Sequence, residues 1–267
     1  MTSLFHFQLI LSFIIGGAVI ATLSFIAEKT PKHIAGVILS LPSTVVISFM
    51  FIAWTTSPQA IGDIVPGTMI TGSTVMLFAI TYVYLAKIKL QKIYSMPIAI
   101  VESLSVWAIF SLPFAIIKFD NLPLSIIIYI IVITISFYIL TVRNNCKTNV
   151  PTRSYSIMQK IGRAVFAGSV ITLAVYLSKT VHPFWGGIFS GFPAVYTSTF
   201  IIMHWYYGPD MLQKITKAVP KGSLVYVPYI LISGFSFPTF GIWLGSLVAY
   251  LGSIIVFFII KKTASNC

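Results

Sequence analysis

Nine apolar runs, each close to the length that crosses a bilayer, account for most of this chain. They fall near residues 8–27, 33–55, 65–86, 94–117, 122–142, 164–181, 184–206, 222–237 and 239–260. A membrane-spanning helix needs about 20 such residues. Inside lipid every backbone N–H and C=O must be satisfied within the protein, and a helix does this locally. Charged residues make up only 8% of the chain, where a soluble domain carries about a quarter. The class that follows is an all-α polytopic membrane protein. The eighth run is short and ends at Phe235-Ser236-Phe237-Pro238, which predicts a tilt or kink there.

The net charge of +12 would suit a nucleic-acid binder, but the basic residues sit in short loops between apolar runs. There they act as topology signals. With the loop after the first run inside, 15 of the 17 Lys and Arg residues become cytoplasmic, leaving Lys118 and Lys179 outside. The expected orientation is N-terminus outside and C-terminus inside, in the cell (inner) membrane. The first run lacks a basic leader and is matched later in the chain, so it reads as a retained helix. Cys146 and Cys267 both fall on the cytoplasmic side and read as free thiols.

An internal duplication organises the runs. Sliding the chain by 151 positions pairs Gly17 with Gly168, Ile20 with Ile171 and Gly36 with Gly187. The same shift pairs Pro42 with Pro193, Phe49 with Phe200, Trp54 with Trp205 and Pro58 with Pro209. No gap is needed from Gly16 to Pro58. Further on, Met96-Pro97-Ile98 aligns with Phe237-Pro238-Thr239, and both copies close on Ile-Ile-Lys. Five crossings separate the first run from its copy, so the copies are expected to be inverted. The organisation expected is repeat A at 1–118, a linker helix and cytoplasmic loop at 119–163, and repeat B at 164–267. Within 143–163, residues 153–161 read as a basic tether or as a short surface helix, and the inside rule explains the tether.

Both copies resemble the small bacterial inner-membrane proteins of the GlpM type, which are roughly one repeat long. The likeness rests on Trp185-Gly186-Gly187, Phe192-Pro193, His204-Trp205-Tyr206 and Val227-Pro228-Tyr229 in the second copy. In the first copy it rests on Ile34-Ala35-Gly36 and Pro42-Ser43, with Leu41 in place of the family's Phe. Ala194 stands where the family has Thr. The resemblance implies two fused GlpM-like units and supplies no mechanism.

A proline lies well inside one apolar run of each copy. It removes a helical hydrogen bond and clashes with the preceding turn. Pro42 and Pro193 each lie nine residues into their runs, which at 1.5 Å per residue is roughly 13 Å deep. Inverted repeats with broken helices are a recurrent plan of secondary transporters, with solute held at the repeat interface. After each break a half-helix starts with free N–H groups and a positive dipole end. Ser40, Pro42, Ser43 and Thr44 at the first break, and Ser190, Pro193, Thr197 and Ser198 at the second, are the expected solute-binding residues. Packing is the plainer reading, because Gly, Ser and Pro also serve close helix contacts.

Glu102 is the one acidic residue inside a run. A carboxylate at that depth is expensive in lipid, so it is expected to face the bundle interior and is a candidate for proton coupling. Its plainer reading is a neutral packing group. His204, beside Trp205, Tyr206 and Tyr207, reads as an interfacial anchor or as a second proton-handling residue. Asp63, Asp120 and Asp210 read as loop charges.

Enzyme chemistry is not expected. Gly187-Ile188-Phe189-Ser190-Gly191 approaches a rhomboid-like nucleophile motif but has Ile at the first Gly position. No metal-ligand motif, paired carboxylates or P-loop is present, so no cofactor, metal or ATP is expected. The sequence therefore predicts a secondary transporter or exporter of a small solute, with an anion as the candidate solute and protons as the candidate coupling ion; the alternative is a non-transporting membrane scaffold or assembly factor for an envelope pathway. Homo-oligomerisation is left open. Orientation is checked by accessibility labelling: single cysteines in the 143–163 loop should label only from the cytoplasmic side, and labelling in intact cells would overturn the topology.

Overall fold

The computed structural model describes residues 3–29, 42–88, 90–143 and 156–265. Its elements are α1 Ser3–Lys29, α2 Ser43–Thr55, α3 Gln59–Leu85, α4 Lys92–Ile116, α5 Leu122–Phe137, α6 Ile157–Thr180, α7 Pro183–Ser190, α8 Ala194–Thr216, α9 Val219–Ser223 and α10 Tyr226–Ser265. A π-turn, Tyr138–Val142, extends α5. Among the described residues there is no strand. Seven segments are long and apolar enough to cross a membrane, and α2 is a shorter apolar helix. The chain is a multi-pass all-α membrane protein.

Local chemistry sets several boundaries. Asn121 Oδ1 accepts from the Leu124 N–H at 3.0 Å and starts α5. Ser156 and Gln159 exchange backbone and side-chain bonds in a capping box, which starts α6 at Ile157. Residues 157–161 are therefore the first turns of a long helix and not a tether. The kink expected at Pro238 falls three residues later, where Gly241 has φ 75° and α10 divides into two helices. Proline keeps φ negative, and the left-handed turn falls to glycine. The segment after Tyr207 is also more helical than its polar sequence suggests. Gly208 (φ 79°) turns the chain, and helix resumes through Thr216 and again in α9. Asp63 and Asp210, read as loop charges, sit on α3 and on this second part of α8.

Helices α1 and α6, which hold equivalent glycines, cross at very short range. A Cβ on Gly17 would lie 2.9 Å from the Ala164 carbonyl oxygen, and one on Gly168 would lie 2.7 Å from that of Phe13. Phe13 and Ala164 are themselves 151 positions apart. Each glycine thus meets the counterpart of the residue its own counterpart meets, the reciprocity a two-fold relation requires. Ser12 Oγ and Thr172 Oγ1, 3.2 Å apart, add a hydrogen bond across the same crossing.

The aromatic packing repeats this exchange. Phe49 of α2 packs on Tyr229 of α10 with ring centroids 6.0 Å apart. Its counterpart Phe200 of α8 packs on Phe78 of α3 at 5.9 Å. Tyr229 and Phe78 are again 151 positions apart. The buried core accordingly forms two clusters, one around Phe49, Tyr229 and Phe237, the other around Phe78, Tyr82, Phe200 and Trp107.

Gly17→Val and Gly168→Val should each force the α1–α6 crossing apart, at about 1–3 kcal/mol by the usual cost of overpacking. Unfolding midpoints in nanodiscs should fall by similar amounts for both. A large loss at one site and none at the other would break the equivalence.

Candidate functional site

The two proline breaks have the same backbone. Pro42 precedes α2 with φ −77°, ψ 47°, and Pro193 precedes α8 with φ −74°, ψ 46°. Each proline carbonyl then accepts the first helical bond, from Val46 N–H at 2.9 Å and from Thr197 N–H at 2.8 Å. Proline offers no side-chain acceptor, and neither helix start has a side-chain cap. The N–H groups of each first turn are therefore left to other partners.

Both starts line one cavity of about 100 Å³. Its wall is built from equivalent pairs: Pro42 and Pro193, Ser43 and Ala194, Thr44 and Val195, Val45 and Tyr196, Gly72 and Ser223, Val75 and Tyr226. Ser190, Gly191 and Phe192 from the second break complete one side, with Met76 and Gly222. The cavity straddles the two-fold relation between the copies. None of its lining residues is charged. Every non-proline pair holds one hydroxyl residue and one partner without a hydroxyl.

The carbonyls that end α7 are satisfied from within. Ser190 Oγ donates to the Gly187 carbonyl oxygen at 2.7 Å. Thr68 shares its hydroxyl proton between the carbonyls of Ile64 and Gly187, at 2.9 and 3.2 Å. Gly191 lies against the Thr71 side chain, where any Cβ would collide. On the far wall the Tyr226 hydroxyl donates to the Thr68 carbonyl at 2.8 Å. The Tyr129 hydroxyl, from α5, reaches both the Ser223 hydroxyl and its carbonyl oxygen at 3.0 Å. The Ser190, Ser223 and Tyr226 protons are thus committed to backbone. Among the described residues no hydrogen bond holds the hydroxyls of Ser43, Thr44 or Tyr196.

Of the residues expected at the site, Pro42, Ser43, Thr44, Ser190 and Pro193 line the cavity. Ser40 lies outside the described residues. Thr197 and Ser198 are not on its wall: Thr197 is buried with an unpartnered hydroxyl, and Ser198 donates to its own Val195 carbonyl. Tyr196, Ser223, Tyr226 and Gly72 were not anticipated. The 151-residue shift carries little sequence signal there, since between Pro58 and Phe78 only Ile64 and Ile215 are identical, and it is the packing of Phe78 and Tyr229 that extends the pairing.

Glu102 does not face the interior. The buried face of α4 is Ser95, Ala99, Ser103, Trp107, Ser111 and Ala115, one residue in four. Glu102 precedes Ser103 by one position, about 100° around the helix, and is exposed beside Val101. Small side chains let α4 approach its neighbours, and they set its rotation more strongly than one carboxyl does. The cavity does not reach Glu102.

His204 is not an interfacial anchor. Trp205, Tyr206 and Tyr207 are exposed, whereas the His204 ring is 1% exposed. Its Nε2 lies 3.3 Å from Ser95 Oγ, and its ring meets Tyr82 edge-on at 5.9 Å. Neither His204 Nδ1 nor the Tyr82 hydroxyl has a partner. Among the described residues no group of His, Cys, Asp and Glu is arranged to hold a metal ion.

The site thus belongs to a multi-pass helical membrane protein, with a cavity between two proline-led helix starts that no charged side chain lines among the described residues. Residues 160–264 match a family described as a protein of unknown function (DUF3147). That stretch takes in the second copy of the repeat and none of the first. No curated protein and no solved structure matches the chain.

Tyr226→Phe should cost about 1 kcal/mol, the net worth of a typical buried hydrogen bond. Gly191→Val should cost more, because its side chain enters the space of Thr71. Thermal unfolding of both variants checks the order, and a neutral Gly191→Val would mean that α3 and the break are not in contact.

Proposed function

We propose that the protein is a secondary carrier of a small solute that binds in the cavity between the two breaks. One observation carries this reading: two uncapped helix starts, equivalent in sequence and backbone angle, line the same cavity. Such starts present N–H donors and partial positive charge. With the free hydroxyls of Ser43, Thr44 and Tyr196 they favour a solute rich in acceptor atoms, such as a small anion or carboxylate. The proposal includes the family likeness, two fused GlpM-like units related by inversion. It also includes residence in the inner membrane with the N-terminus outside. The competing reading is a scaffold whose duplication serves packing alone. It is less favoured because a wall built for packing has no need of uncommitted hydroxyls.

The test is ligand-dependent stability of the purified protein in nanodiscs, across a panel of small anions and matched neutral solutes. A ligand at about 100 times its Kd should stabilise the fold by about 2.7 kcal/mol. Ala194→Trp, which fills the cavity, should abolish the shift. Glu102→Gln should leave it intact, since the carboxyl lies outside the cavity. If no anion stabilises the wild type more than Ala194→Trp, the carrier reading fails and the scaffold replaces it.

A further inference from the structure

Tyr196, Phe200 and His204 fall on one stripe of α8, four residues apart, and form a column leading away from the cavity. Tyr196 lines the cavity and packs on Phe200 at 5.9 Å. Phe200 stacks on Phe78 at 13° between planes and meets Tyr82 at 5.2 Å. His204 closes the column against the other side of the contact, edge-on to Tyr82. Phe78, Tyr82 and Phe200 are each fully buried. This layer is the counterpart of the Phe49–Tyr229 layer beyond the other break, which ends in no histidine.

Two polar atoms at the end of this column have no partner, His204 Nδ1 and the Tyr82 hydroxyl. The two residues are 1% and 0% exposed and their rings touch. Buried polar groups are rarely left unpaired, and an exception calls for a physical reason. The neutral ring spends Nε2 on Ser95 and keeps Nδ1 spare. The groups that face it are Tyr82 from α3, Ser95 and Lys92 from α4, and the backbone of Trp205, whose carbonyl accepts from Lys92 Nζ at 3.3 Å.

We propose that His204, held between Ser95 and Tyr82, is a proton-binding switch that loosens the aromatic layer next to the cavity. A proton on Nδ1 creates a cation with one unbonded N–H in a dry aromatic contact, with the Lys92 ammonium close by. Burying such a charge unpaired is costly. The cation is better served by water, or by the Tyr82 oxygen turned to accept its hydrogen. Either change parts Tyr82 from Phe200. The proton therefore binds the loosened arrangement more tightly than the packed one, and lower pH shifts the population toward it. This inference rests on the reading of the cavity as a solute site, since it concerns access to that space.

The test needs no solute, so its outcome is independent of the ligand panel. The chain has four histidines, and ring-15N labelling in nanodiscs gives one set of signals for each. The set lost in His204→Gln should titrate as the pH is lowered. In a background with Cys146 and Cys267 replaced by Ser, a cysteine at Ser190 reports entry of a water-soluble thiol reagent. Its labelling rate, taken relative to that of a free thiol at the same pH so that the falling thiolate fraction cancels, should rise as pH falls, by up to about tenfold per pH unit for one linked proton, and Ser95→Ala should move the midpoint. His204→Gln should be flat. A His204 that does not titrate, or one that titrates while labelling at position 190 stays constant in pH, overturns the proposal.

Discussion

A backbone that stops being helical inside a membrane has to find its missing partners in the protein, because lipid offers none. Among the described residues the chain has such an interruption between α7 and α8, and it decides where its neighbours go. The break at Gly191–Pro193 is covered by α3, whose Thr68 hydroxyl reaches the Gly187 carbonyl and whose Thr71 fills the space beside Gly191. The Thr68 carbonyl is in turn served by Tyr226. This break cannot lie on the outside of the bundle under that requirement. The close crossing of α1 and α6 at Gly17 and Gly168 holds the two copies together, with the reciprocal contacts of one copy on the other.

The copies share packing without sharing every helix. α3 runs unbroken from Gln59 to Leu85. Its counterpart in the second copy is divided among the end of α8, α9 and the start of α10. The difference is written in prolines. Pro220 and Pro228 stand where the first copy has Met69 and Leu77. Each lacks an N–H and crowds the preceding turn, so a helix tolerates it best at its start. Both are found there, in the first turns of α9 and α10. The divided helix brings Gly222, Ser223 and Tyr226 to the cavity wall, facing the straight side formed by Gly72, Val75 and Met76.

Much of this was legible in the sequence. Apolar run length gave the helices, and the shared shift gave the pairing of Gly17 with Gly168 and Pro42 with Pro193. The shift uses Gly and Pro, whose backbone demands leave little freedom of interpretation. Rotation about a helix axis was harder. For Glu102 the cost of one carboxyl in lipid points inward, while the stripe of Ser, Ala and Trp at four-residue spacing on the same helix points elsewhere and sets the rotation. His204 was read from its aromatic neighbours in sequence, yet adjacent residues on a helix point about 100° apart. Trp205 faces out while His204 faces in. The helical stretch after Gly208 was hidden because its polar residues match the composition of a loop.

The cavity wall also has a grain. Its backbone frame is the same when turned half a revolution, but its side chains are not. Ser43 and Thr44 lie opposite Ala194 and Val195, while Tyr196, Ser223 and Tyr226 lie opposite Val45, Gly72 and Val75. The first copy contributes two small hydroxyls to the wall, and the second contributes two phenols and the serines Ser190 and Ser223. A guest molecule with two different ends therefore meets unlike surroundings in its two orientations, because turning it around exchanges each paired hydroxyl for a partner that has none. The wall repeats with the 151-position shift, and the differences between the paired side chains give the space inside it a direction.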